Sequence, residues 1–241
     1  MQKQPEAPCA PPKAATPLEQ AIYEYERRCD TYFTKISSST PAGETPTQKE
    51  RRLEEWSKER GHLEAERRKV LTLASMEEQL AKYRSEFGIS TSSEVLTQML
   101  NEAHHPTKQL AKFMATEGEP KPSTKHAAHH IVPGKGRWKQ SDMLAVRINM
   151  HASGIRINDP KNGAWLPIPK NSKGHWATPD APSHKSVHGV NYEVWISKQL
   201  RLTPAGDMFT KRLALLKTGI KNGTYPVKIE EAKDPNWDGR S

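Results

Sequence analysis

Three histidines within five residues, followed at once by a short apolar run and a proline, constrain this chain more than any other stretch: Lys125-His126-Ala127-Ala128-His129-His130-Ile131-Val132-Pro133. The run reads as a short strand, and Pro133, which cannot donate to a ladder, ends it. The imidazoles therefore sit where a strand stops. Histidine titrates nearest neutral pH and is the commonest metal ligand, so neighbouring imidazoles can hold a metal and move a proton a few ångströms apart. A polar surface strand would give the same pattern.

Composition narrows the classes. With 27% charged residues and a mean hydropathy of −0.85, no run approaches the roughly 18 apolar residues of a membrane helix, which predicts a chain with no membrane partner. The first residues lack the apolar core of a secretory signal, so we expect a protein that is cytoplasmic where it is made. Cys9 and Cys29 are the only cysteines, which excludes a disulfide framework and a cysteine-held zinc site. The net charge of +9 is unevenly spread: residues 119–241 hold 20 Lys/Arg against 10 Asp/Glu, leaving residues 1–118 at −1. Concentrated positive charge beside histidines points to a polyanionic substrate.

The first 118 residues read as helical. A Pro/Ala-rich arm (1–17) precedes a short helix over 18–33 anchored by Ile22, Tyr25 or Tyr32, and Phe33; a Ser/Thr/Pro linker (37–46) follows. Residues 47–73 form an exposed, charge-rich helix interrupted at Gly61. Ser75-Met-Glu-Glu78 and Thr91-Ser-Ser-Glu94 are capping boxes that open two further helices, the first stopped by Gly88, and Pro106 starts a last one carrying Leu110, Phe113 and Met114. His104 and His105 read as surface residues.

The basic part, 119–241, mixes strands and helices, which makes the chain α+β. The apolar spacing of Trp138, Leu144, Ile148 and Met150 suits a helix over 137–151; Ile155–Ile157 and Ala164–Ile168 read as paired strands around an Asn-Gly turn. Ser183 caps a helix over 184–200 on which His184 and His188, four residues apart, share one face and could bind a metal jointly. A helix near 208–216 and a late strand over 225–229 complete the chain.

In order, Ala128-His129-His130-Ile-Val-Pro, Asn162-Gly-Ala-Trp-Leu-Pro and His184-x-x-x-His188 resemble the AHH family of the HNH/endonuclease VII superfamily, found as nuclease modules of bacterial polymorphic toxins. The resemblance covers about residues 120–205. It implies a ββα-metal nuclease domain over 119–241 behind the helical N-terminal region 18–118. It further implies one divalent ion (Mg, Mn, Ni or Zn) held by His129, His184 and His188, with His130 as general base and Asn162 fixing the hairpin and that base. About thirty residues inserted between the His pair and Asn162 put the hairpin register in question, and Asn158 is the alternative to Asn162.

Arg137, Lys139, Arg147 and Arg156 flank this site and are placed to grip phosphates. For His129 and His130 both to reach one phosphate, the strand must end between them. Metal-dependent hydrolysis of a phosphodiester, in DNA before RNA, is the function implied. By analogy with the family, the protein would be a toxin delivered to a target-cell cytoplasm by a type VI-like apparatus, with residues 18–118 binding that apparatus or a chaperone and an immunity protein guarding the producer. The alternative is a non-catalytic nucleic-acid-binding protein with a structural metal. His126, His151 and His175 are expected at the surface, and Trp165 and Trp195 in the core.

Overall fold

A computed structural model describes residues 15–38, 43–87, 92–169, 174–231, 233–234 and 236–240. Most of the N-terminal arm, the middle of the 37–46 linker, the Gly88 stop and the Thr91 cap lie outside those residues. The chain divides into two compact units, Met1–Gln79 and Leu80–Ser241.

In the first unit, α1 (Pro17–Ser37) opens on a reciprocal cap in which Thr16 accepts from the Glu19 N–H and the Glu19 carboxylate accepts from the Thr16 N–H. The helix α2 (Pro46–Ser85) runs without a break for 40 residues. Neither Gly61 nor Ser75 interrupts it: an interior glycine costs only about 1 kcal/mol, and the Ser75 hydroxyl accepts from the Gln79 amide one turn on instead of capping. Of the described residues up to Gln79 only Ala21 is buried, and Phe33, expected as an anchor, is 61% exposed. Ion pairs replace a core here, Lys35 with Glu59 and Arg52 with Glu44 among them.

The second unit, which includes the end of α2, is built on a real core. Its sheet has two strands, β1 (His126–His130) and β2 (Gly163–Pro167), paired antiparallel with His130 opposite Gly163 and His126 opposite Pro167. Every residue of β2 is buried, because both faces of the ribbon are covered. On one face α4 (Lys108–Thr116) packs Leu110 and Met114 against Ala128 and Trp165. A Cβ at Gly163 would lie 2.6 Å from the Met114 sulfur, so only glycine lets this helix approach. On the other face Ala164 and Leu166 join the main core with α5 (Gln140–Ala152), α6 (Val190–Leu200) and α7 (Asp207–Lys221). The short α3 (Ser93–Leu100) packs on α5. No helix among the described residues is long and apolar enough to cross a membrane.

Several local expectations are corrected. Ile155–Ile157 is not a strand: both isoleucines are fully buried in irregular chain, and Arg156 between them turns to Glu102 and Glu86. Alternation was present without a ladder. On α5 the buried stripe is Met143, Val146, Arg147, Met150 and His151, while Leu144 and Ile148, and Trp138 ahead of the helix, are exposed. A stripe carrying an arginine and a histidine does not look apolar, so the hydrophobic spacing had rotated the helix. His184 and His188 are not on an α-helix either; a 3-10 turn at Ser186–His188, whose first N–H is taken by the Ser183 hydroxyl, precedes an extended Gly189, and α6 begins only at Val190. Residues 227–230 form another 3-10 turn in place of the late strand.

Candidate active site

β1 borders a cleft of about 700 Å³ lined by six imidazoles: His104, His105, His129, His130, His184 and His188. The strand does not end between His129 and His130, since both belong to it. Alternation sends their rings to opposite sides, His129 toward α6 and His130 toward the segment before α4. The cleft takes in both.

His129 meets His184 and His188 with ring centroids 5.4 and 5.5 Å away, and the nitrogens the three can offer lie within 4.8 Å of one another. The Tyr192 hydroxyl fixes the tautomer of His129. It donates to the Ile131 carbonyl at 2.8 Å, so its oxygen must accept from the His129 Nε2–H at 3.1 Å, which leaves Nδ1 with its lone pair. Burial, followed by His184 and His188, holds the His129 pKa well below 6.5; burial and then His188 push His184 down to about 4; burial, His105 and Arg137 lower His188. Three neutral imidazoles, one of them oriented through its second nitrogen, are a fitting donor set for a borderline divalent cation with open positions.

His130 is 6% exposed, and its Nε2 lies 3.0 Å from Asn158 Oδ1. The Asn158 amide nitrogen donates to the Ala103 carbonyl at 3.0 Å and to Gln109 Oε1 at 3.3 Å, so its oxygen faces His130 and accepts from Nε2–H. Nδ1 is again the nitrogen left free. Burial brings the His130 pKa down to about 4 against a raising contribution from Asn158, so the ring is neutral at pH 7.

Asn162 does not touch this ring. It is fully buried, accepts from the Val132 N–H at 2.8 Å and donates to the Val132 and Ile157 carbonyls, and so clamps the chain just past β1 to the entrance of β2. Of the two asparagines, Asn158 orients the imidazole and Asn162 fixes the hairpin. Asn158 is itself held by groups distant in sequence: its N–H donates to the Tyr83 hydroxyl, and Arg84 grips the neighbouring, buried Asp159 through two nitrogens. The insertion between the strands thus returns to the site under tight constraint.

The four flanking cations separate into two pairs. Arg137 and Lys139 are exposed and form no ion pair among the described residues. Their loop is pinned by Glu193, which accepts the N–H groups of Arg137, Trp138 and Lys139. Arg147 and Arg156 are buried instead. Arg147 donates to the carbonyls of Met99, Leu100 and Gly134; Arg156 pairs with Glu102 and Glu86, donates to the Tyr83 carbonyl, and lies over the Tyr83 ring. As placed, neither presents its guanidinium to a phosphate.

Two of the histidines expected at the surface are buried instead. His151 is fully buried between the Ile155 carbonyl and Arg147. His126 is buried between Ser123 and Thr178, with His175 against its edge. Trp165 and Trp195 are in the core as read. Tyr192, which orients His129, and Glu193, which pins the Arg137–Lys139 loop, were given no role by the sequence. A spacing signal existed for Tyr192, since His184, His188 and Tyr192 recur every four residues; nothing local distinguishes Glu193.

Residues 110–207 match the model of the AHH family, described as a nuclease family of the HNH/ENDO VII superfamily with conserved AHH. Comparison with curated proteins and with solved structures gives no match.

Proposed function

We propose that the protein, whose residues 110–207 match the model of the AHH nuclease family, is a metal-dependent endonuclease of the ββα-metal type, acting on DNA in preference to RNA. The observation that carries this reading is that adjacent residues of β1 supply one member of a three-imidazole set, His129, and a separate imidazole with one free nitrogen, His130. In the ββα reading, β1, β2 and the His184–Leu200 segment are the three elements, the last entered by a 3-10 turn.

His129, His184 and His188 would hold one Mg, Mn, Ni or Zn ion; three nitrogens suit Mn, Ni or Zn better than oxygen-seeking Mg. Such a cation supplies Lewis-acid relief of charge on the phosphate and on the departing 3′ oxygen. His130, neutral and fixed by Asn158, takes the proton of the attacking water at Nδ1. The water oxygen bonds to phosphorus as the bond to the 3′ oxygen breaks. General-base help of this kind contributes on the order of 10² to 10⁴ in rate. Tyr192 holds His129 in the tautomer that presents Nδ1, while Arg137, which lines the cleft, and the exposed Lys139 on the same loop meet backbone phosphates.

The biological setting rests on the family analogy: an antibacterial toxin delivered by a type VI-like route, with an immunity protein as partner and the helical residues 18–118 available for loading. Plasmid digestion tests the enzymatic reading. Cleavage should appear with at least one of the four cations and vanish with EDTA; protein that binds DNA yet leaves plasmid intact with all four would favour a structural metal.

A further inference from the structure

We propose that His104 and His105 form a phosphate-binding pair that grips the nucleic-acid backbone next to the scissile bond. The inference rests on the nuclease reading and extends it to residues that precede the matched segment 110–207. The two rings lie 4.4 Å apart by centroid and stand edge-on to His130 at 5.9 and 6.2 Å. They line the same cleft.

Their hydrogen-bonding sets them apart from the other cleft histidines. His129 is bonded to Tyr192 and His130 to Asn158, while His184 and His188 face each other at 3.4 Å. Among the described residues neither His104 nor His105 makes a hydrogen bond or ion pair. Their ring nitrogens are therefore not committed to any group of the protein among the described residues and are available to a ligand. His105 is exposed, so packing does not account for its place at the cleft mouth. His104 is accommodated by backbone: a Cβ on Gly134 would lie 2.3 Å from its ring.

A second metal is the competing use for such a pair. Among the described residues, though, only His129, His184 and His188 bring three ligand atoms together. A phosphodiester oxygen fits better. An imidazole N–H donates to an anionic oxygen in any sequence context, and Lys135 and Arg137 line the cleft with unpaired positive charge. The pair stands beside the base His130, so the phosphate it holds is the scissile one or its neighbour.

The test compares wild type with the double variant His104→Ala/His105→Ala, loaded with the same cation, on a fluorescent DNA oligonucleotide. Metal content should be equal, and KM should rise about tenfold, the low end of what a hydrogen bond to a charged group contributes. The double variant His104→Gln/His105→Gln keeps an N–H donor and should recover most of the loss. Gly134→Ala, which leaves both histidines in sequence and displaces one ring, should raise KM by a smaller factor. If the double variant does not fold, the exposed His105→Ala alone carries the measurement. Unchanged KM would overturn the proposal; so would loss of metal, which would make the pair ligands. Wild-type protein that cuts neither DNA nor RNA with any cation would instead remove the nuclease reading, a result distinct from wild type and variant cleaving alike.

Discussion

The two ends of β1 carry the same side chain in opposite circumstances. At its start, His126 has both ring nitrogens engaged, Nδ1 with the Ser123 hydroxyl and Nε2 with Thr178, each at 2.9 Å. At its end, His129 and His130 each have one nitrogen engaged, by Tyr192 and by Asn158. All three are buried, so burial does not separate His126 from the two imidazoles proposed to do chemistry. The count of free nitrogens does. A ring held at one nitrogen is oriented and still able to bind; a ring held at both is a rivet, and His151, bonded to Ile155 and Arg147, is a second one.

Replacing each histidine in turn would break this contrast if it is wrong. His129→Ala should remove the bound cation and lower cleavage by roughly 10³-fold or more, the loss of several kcal/mol of charge stabilisation. His126→Ala should leave metal content and the single-turnover rate of the folded fraction unchanged, while costing about 1–3 kcal/mol of stability as its partners lose their bonds. Metal analysis, single-turnover cleavage and urea unfolding read the three quantities.

The basic residues extend the contrast from imidazoles to guanidiniums. Arg156→Ala should destabilise the fold by about 3 kcal/mol or more, because it strands Glu102 in a largely buried position. Arg137→Ala should barely change the unfolding midpoint and instead lower the salt dependence of DNA binding by about one phosphate contact. Binding isotherms over a range of salt concentrations separate the two.

Tyr192→Phe is a finer probe. It keeps the ring and removes only the hydroxyl that fixes the His129 tautomer, so metal affinity should fall about 10- to 100-fold with little change in cleavage at saturating metal. Equal affinity would mean that His129 needs no partner.

The smallest expected effect is a pH dependence. Burial lowers the His151 pKa from 6.5 to about 4. Between those values the unfolded chain takes up a proton that the folded chain refuses, so stability is complete above 6.5 and declines as the pH falls toward 4. Urea midpoints of the metal-free protein should be lower at about pH 5 than at about pH 7, and more nearly equal in His151→Gln.

The sequence made one half of the site readable and concealed the other for identifiable reasons. His129, His130, His184 and His188 stood out because their spacing is local, and the structure brings all four to one cleft. Asn162 was visible through its Gly-Ala-Trp-Leu-Pro context, yet which asparagine faces His130 depends on Tyr83, Arg84 and Ala103, which are remote in sequence. Arg147 and Arg156 misled in the other direction, since a buried cation and a phosphate-gripping one look alike until their partners are known. The exposed, charge-rich helix over 47–73 was legible, but not its continuation to Ser85, because Ser75-Met-Glu-Glu78 can start a helix or continue one.

The division of labour between the paired histidines of β1 is tested most directly by titrating metal-stripped wild type and His130→Ala with Mn, Ni or Zn while following both metal binding and DNA cleavage. The account predicts one equivalent bound by each protein, with the variant slower by about 10² to 10⁴. A variant that cleaves as fast as wild type, or that no longer binds the cation, would contradict it.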